Sequence, residues 1–126
     1  MNPLYVEYAK KMSDLGDKVN NISSQFFGMK EDTPEELKHQ YNTSLKAISE
    51  YKELKLAFML TVVPDIVQNE HEQVIEAIQM FIDGTKYMFK FINKSDSLVD
   101  IGYSLQHEGK ERIVQLADQV CIKFGN

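Results

Sequence analysis

Pro64 to Asn93 is the longest stretch of this chain that reads as one helix. Val67, His71, Val74, Ile78, Phe81, Thr85, Met88 and Ile92 recur at alternating spacings of four and three, which puts them on a single helical stripe. A helix of this kind owes its stability to burial of the stripe rather than to its own propensity. The rest of the chain must therefore supply matching apolar faces.

Three other segments do. Asn2 followed by Pro3 gives a cap and the residue best suited to the first helical position. Leu4, Tyr8, Met12, Leu15, Val19, Ile22 and Phe26 then form a stripe that Gly28 ends, and Gly16 weakens it by roughly 1 kcal/mol relative to alanine. After a polar turn, Thr33-Pro34-Glu35-Glu36 is a capping box that opens a second helix. Its stripe is expected to run Leu37, Tyr41, Ser44 or Leu45, Ile48, Tyr51, Leu54 or Lys55, and Phe58, and to stop near Val62 ahead of Pro64. Pro64 then opens the third helix; the alternative is one long helix kinked at Pro64. Asp83-Gly84 looks like a turn, but the stripe keeps phase from Phe81 to Met88, so the helix continues and Gly84 marks close packing or a weak spot. Ser95 or Asp96 caps a fourth helix carrying Leu98, Ile101, Leu105, Ile113, Leu116, Val120 and Phe124, with Gly102 and Gly109 as interruptions.

Four amphipathic helices, at about 3–27, 34–62, 64–93 and 96–124, joined by short links make sequence neighbours antiparallel. The expected fold is all-α, an up-down-up-down four-helix bundle in a single domain of 126 residues. A chain of that length buries enough surface to stand without a metal or disulfide. Fourteen Lys and Arg against nineteen Asp and Glu give a net charge of −5, which speaks against nucleic acid as a partner. No run reaches the roughly 18 apolar residues that span a bilayer, and the first residues do not read as a signal peptide. The sequence as given therefore points to the cytoplasm, with an extracellular or envelope-anchored protein as the alternative if a signal segment was removed. Cys121, the sole cysteine, lies on an apolar stretch and is expected to be a buried small hydrophobe.

Chemistry needs clusters, and none of the candidates completes one. Glu36-x-x-His39 has the spacing of carboxylate-bridged di-iron bundles, but such a site needs a second copy, and Gln68 and Ser104 stand three residues before His71 and His107. His71-Glu72 is followed by Ile75 where a zinc helix needs histidine. His71 reads as a hydrogen-bonded core histidine and His107 as solvated surface. No catalytic residue, metal site or cofactor is expected.

Pro64, His71, Gly84 and Tyr87, then Asp96, Leu105, Gly109, Ile113 and Ala117, following a Thr-Pro-Glu-Glu helix start, make residues 34 to 120 resemble the small all-helical domains of uncharacterised secreted lipoproteins of Gram-positive bacteria. The resemblance implies a helical bundle and lends no site residues. The expected function is a non-enzymatic interaction or structural module, acting on an unknown protein partner or by self-association; the alternative is a bundle that binds a small apolar ligand. Phe26, Phe27, Tyr87, Phe89 and Phe91 form the candidate interaction surface, because the helix around Tyr87 is apolar over more of its circumference than one core can hide. That ridge is expected to be covered by the turn after helix 1 or to meet its own copy in a homodimer.

Overall fold

The computed structural model describes residues 2–26, 33–91 and 96–125, and the side chains of that set apart from 89–91 and 96–100. It consists of four α-helices: α1 (Pro3–Ser24), α2 (Pro34–Met59), α3 (Gln68–Phe91) and α4 (Asp96–Gly125). No strand occurs among the described residues. Neighbours in sequence pack side by side, and α4 returns to α1, closing an up-down-up-down bundle.

Two of the three expected N-terminal caps form, and the third, Ser95 or Asp96 before α4, lies outside the described side chains. The Leu4 amide donates to Asn2 Oδ1 at 2.9 Å, and the Glu36 amide donates to Thr33 Oγ1 at 3.1 Å. Helix α1 ends at Ser24, short of the expected 27, and Ser24 turns its hydroxyl to the Asn21 carbonyl at 2.9 Å. Gly28 and the turn around Met29 lie outside the described residues. Helix α2 ends at Met59 rather than 62. There the Thr61 amide and hydroxyl take the carbonyls of Phe58 and Ala57 at 3.2 and 3.0 Å, which closes the last turn early. Pro64 is extended at φ −62°, ψ 137°, so α2 and α3 are separate helices; it precedes one 3-10 turn, Asp65–Val67, that leads into α3.

Helix α3 carries its stripe as expected. Val67, His71, Val74, Ile78, Phe81, Thr85 and Met88 are all buried, and Ile92 lies outside the described residues. Glu70, Ala77, Ile82 and Gly84 are buried as well, so α3 is covered on more of its circumference than any other helix. The stripe of α1 also holds, from Tyr8 through Met12, Leu15, Val19 and Ile22 to Phe26, with Leu4 half-buried.

Two faces differ from expectation. In the first half of α2 the buried positions are Gln40, Ser44 and Ala47, while Tyr41 and Leu45 stand outside and Leu37 and Ile48 are half-buried. From Tyr51 on, the expected stripe is restored. Small side chains at 44 and 47 let α2 lie close on α3, and the bulk of Tyr41 and Leu45 does not fit that seam. In α4, Gly102 and Gly109 are inside and Ile101 is exposed; Leu98 lies outside the described side chains. The glycines therefore do not interrupt the packed face of α4 but form part of it. A Cβ added at Gly84 would sit 2.7 Å from the Gly102 carbonyl oxygen, and one at Gly102 would sit 2.6 Å from the Gly84 carbonyl oxygen. The two backbones meet at this crossing, and Gln106 Nε2 donates across it to Thr85 Oγ1 at 2.8 Å.

Candidate functional site

The pole formed by the start of α1, the end of α2, the start of α3 and the end of α4 holds a buried polar and aromatic cluster. Tyr8 Oη and His71 Nδ1 are 2.8 Å apart, and both residues are buried. Phe58 stacks on the His71 ring with centroids 4.5 Å apart and planes 26° apart, and Phe124 meets Tyr8 edge-on. Burial pushes the Tyr8 hydroxyl well above its ordinary pKa, and the nearby Glu70 charge adds to this. Burial likewise lowers His71, against a smaller opposing pull from Glu72. Both shifts favour the uncharged forms of the two rings, and one hydrogen bond joins Tyr8 Oη and His71 Nδ1. At the rim, Lys123 Nζ donates to both oxygens of Glu70 at 2.6 and 2.8 Å and to the Ile66 carbonyl at 3.1 Å. One cation thus ties the end of α4 to the start of α3. The cluster pins four chain segments together with both ring partners uncharged.

Of the residues expected to form an interaction surface, the side chains of Phe26 and Tyr87 are described. Phe26 is in the core; Tyr87 is 37 % exposed and engaged in further contacts; Phe27 and the side chains of Phe89 and Phe91 lie outside the described residues. Cys121 is exposed, contrary to expectation, because the buried line of α4 runs through Ile113, Leu116 and Val120 and turns position 121 outward. His71 is the hydrogen-bonded core histidine expected. His107 is at the surface, 3.0 Å from Glu111. Among the described residues no group of three or more His, Cys, Asp or Glu side chains is arranged to hold a metal ion. None of the helices, over the described residues, is long and apolar enough to cross a membrane.

Two surface features were not anticipated, and both involve α2. Along its seam with α1 the bundle is open. Two adjoining hollows of about 260 and 410 Å³ share Lys18, Leu54 and Ala57 as lining, with Leu15, Ile22 and Phe58 in their apolar floor and Lys11, Asp14, Glu50 and Glu53 at the rim. On the other side of α2 runs an apolar ridge. Tyr41, Leu45, Leu56 and Met59 are between 45 and 58 % exposed, and the ridge continues into Leu60 at 77 %. Meanwhile Gln40 is buried, and its Oε1 has no hydrogen-bond partner among the described residues. Buried polar and exposed large apolar groups are the informative departures from ordinary burial, and the first half of α2 has both at once. A sequence signal for this exists: Gln40, Ser44 and Ala47 keep helical spacing one residue ahead of Tyr41, Leu45 and Ile48, and both lines lead into Tyr51. Comparison with protein-family models, curated proteins and solved structures found no match.

Proposed function

We propose that this chain is a non-enzymatic protein-interaction module that presents the outer face of α2 to a partner. The observation that carries the reading is the inverted burial of α2, with Gln40, Ser44 and Ala47 inside and Leu45, Leu56 and Met59 outside. Burying a large aliphatic side chain is worth about 1.5–3 kcal/mol, so three left wet on one ridge leave free energy available to a docking chain. The ridge sits on a 26-residue helix packed against α3 rather than on a loop.

The test replaces Leu56 with the photo-crosslinking residue p-benzoylphenylalanine in the cells that make the chain. Irradiation should yield a protein–protein adduct at position 56 and none at an exposed charged control, Asp17, on α1. Equal labelling at both positions would sink the reading.

The second reading, an apolar-ligand binder, draws on the hollows between α1 and α2. Their apolar floor and the amines of Lys11 and Lys18 suit an elongated ligand with an acidic head. Native mass spectrometry of the chain with a long-chain fatty acid distinguishes it: a stoichiometric complex lost in Lys18→Glu supports this reading, and no complex removes it.

A further inference from the structure

We propose that the occupant of the α2 ridge is a second copy of this chain, the two α2 helices packing antiparallel across a twofold axis beside Glu50 and Tyr51. The inference rests on α2 being a docking face and adds which partner it takes. In a twofold interface every contact occurs twice, residue i of one copy on j of the other and j on i, so the contact face must be complementary to itself. For two antiparallel helices this means that positions equally far before and after the midpoint must suit each other.

The exposed face of α2 has this property. Leu45 and Leu56 stand equally far on either side of a midpoint between Glu50 and Tyr51, so each leucine falls on the partner's other leucine. Tyr41 and Leu60 are equidistant in the same way, at the ends of the ridge, and Ser49 and Lys52 face each other near its centre. From Tyr41 to Leu60 the ridge is about 28 Å long at 1.5 Å per residue. Its apolar groups lie towards the two ends and its polar groups in the middle, an order that reads alike in both directions.

The flanking charges agree with the same axis. Lys46 and Glu53 lie on one flank of the ridge, seven residues apart and so nearly in line along the helix. The axis brings Lys46 within about 3 Å, along the helix direction, of the partner's Glu53, and Glu53 equally near the partner's Lys46. Both side chains are at the surface. Lys46, 68 % exposed, pairs with Glu50 at 3.7 Å, an ion pair loose enough to be shared. Two opposite-charge pairs beside two leucine pairs set both the register and the antiparallel direction. A foreign helix has no reason to match this symmetry.

Sedimentation equilibrium of the full chain at submillimolar concentration should give twice the 14.6 kDa chain mass. Leu45→Glu with Leu56→Glu should give a monomer with unchanged helical circular dichroism. The charge exchange tests the register independently. Lys46→Glu and Glu53→Lys should each raise the dimer dissociation constant about tenfold, and the two together should restore it to within about twofold. A wild-type monomer at this concentration, a dimer indifferent to the glutamate pair, or an exchange without restoration would each overturn the proposal. A monomer whose position 56 crosslinks a different protein would overturn the dimer while leaving α2 as a docking face. A monomer with no adduct would end both.

Discussion

The two sides of this bundle are packed by opposite means. Between α3 and α4 the backbones touch at Gly84 and Gly102, and Gly109 lies against Ala77 and Phe81. Between α1 and α2 the contacts are made by side-chain ends, such as the 2.8 Å hydrogen bond of Ser23 with Tyr51, and open hollows remain outside them. The first seam is dry and close because small residues remove the side chains that would hold the helices apart. The second keeps large side chains and leaves surface. The contrast bears on the proposed function: α3 and α4 form the tight pair, and α2 carries the exposed apolar ridge.

The largest expected effect breaks the tight side. Gly84→Ala places a Cβ against the Gly102 carbonyl, a backbone atom that cannot move without separating α3 from α4. Overpacking of this kind costs about 1–3 kcal/mol and should outweigh the roughly 1 kcal/mol that alanine gains in helix propensity. Urea denaturation should show the loss. An equally stable variant would mean that the crossing is not as close as described.

The next prediction separates the sides by pH. His71 is held neutral at the pole where α1 meets α3, and Tyr8, Glu70, Glu72 and Lys123 are the titratable groups around it. Its folded pKa lies below the ordinary 6.5, so the unfolded chain binds a proton that the folded chain resists. The stability it contributes is complete above about pH 6.5 and is lost as the pH falls through the lowered folded pKa. His71→Gln, which can still hydrogen-bond Tyr8, should flatten this acid slope of the urea midpoint. At the alkaline end Tyr51, pushed up to about 12 from 10, contributes stability present below pH 10 and lost as the pH rises towards 12. The closest contacts of the α3–α4 crossing are made by Gly84, Thr85, Met88, Gly102 and Gln106, so Gly84→Ala should leave both slopes unchanged.

How much of this was legible follows the same division. The stripes of α1 and α3 are read correctly because each is the one large apolar line at helical spacing, although α3 buries Glu70, Ala77, Ile82 and Gly84 besides. In the first half of α2 two lines one residue apart, a small one and a large one, fit the same period: Ser44 is one of the two residues expected at its place, but bulk favours Tyr41 and Ile48 over Gln40 and Ala47, which are the buried ones. On α4 the glycines look like breaks, since propensity counts against glycine while close backbone approach, a tertiary event, requires it. The Tyr8–His71 pair joins residues 63 apart in sequence. Helical spacing marks His71 as a core position but does not name Tyr8 as its partner. The candidate surface around Phe26 was sought in excess aromatic content, whereas the exposed ridge arises from how α2 is rotated.

Thr33→Ala tests a smaller, local term on the α2 side. The Thr33 hydroxyl accepts from the Glu36 amide at 3.1 Å, and its loss should cost about 0.5–2 kcal/mol in the urea midpoint. Because the cap is exposed and sits on a different helix from Gly84, the cost should be the same with or without Gly84→Ala, as expected for distant sites.

The smallest effect has the opposite sign. Gly16 lies mid-helix in α1, as Gly84 does in α3, but a Cβ at position 16 meets nothing within 4 Å. Helix α1 is the one that stands off from α2 at this level, where Leu15 and Lys18 line the open hollows. Gly16→Ala therefore keeps the gain in helix propensity and incurs no overlap, and should stabilise the chain by about 0.5–1 kcal/mol. The same substitution thus raises stability in α1 and lowers it in α3, though helix propensity alone would give both the same sign. If Gly16→Ala destabilises, α1 lies closer to its neighbours than the open seam implies, and the hollows beside it are narrower in solution.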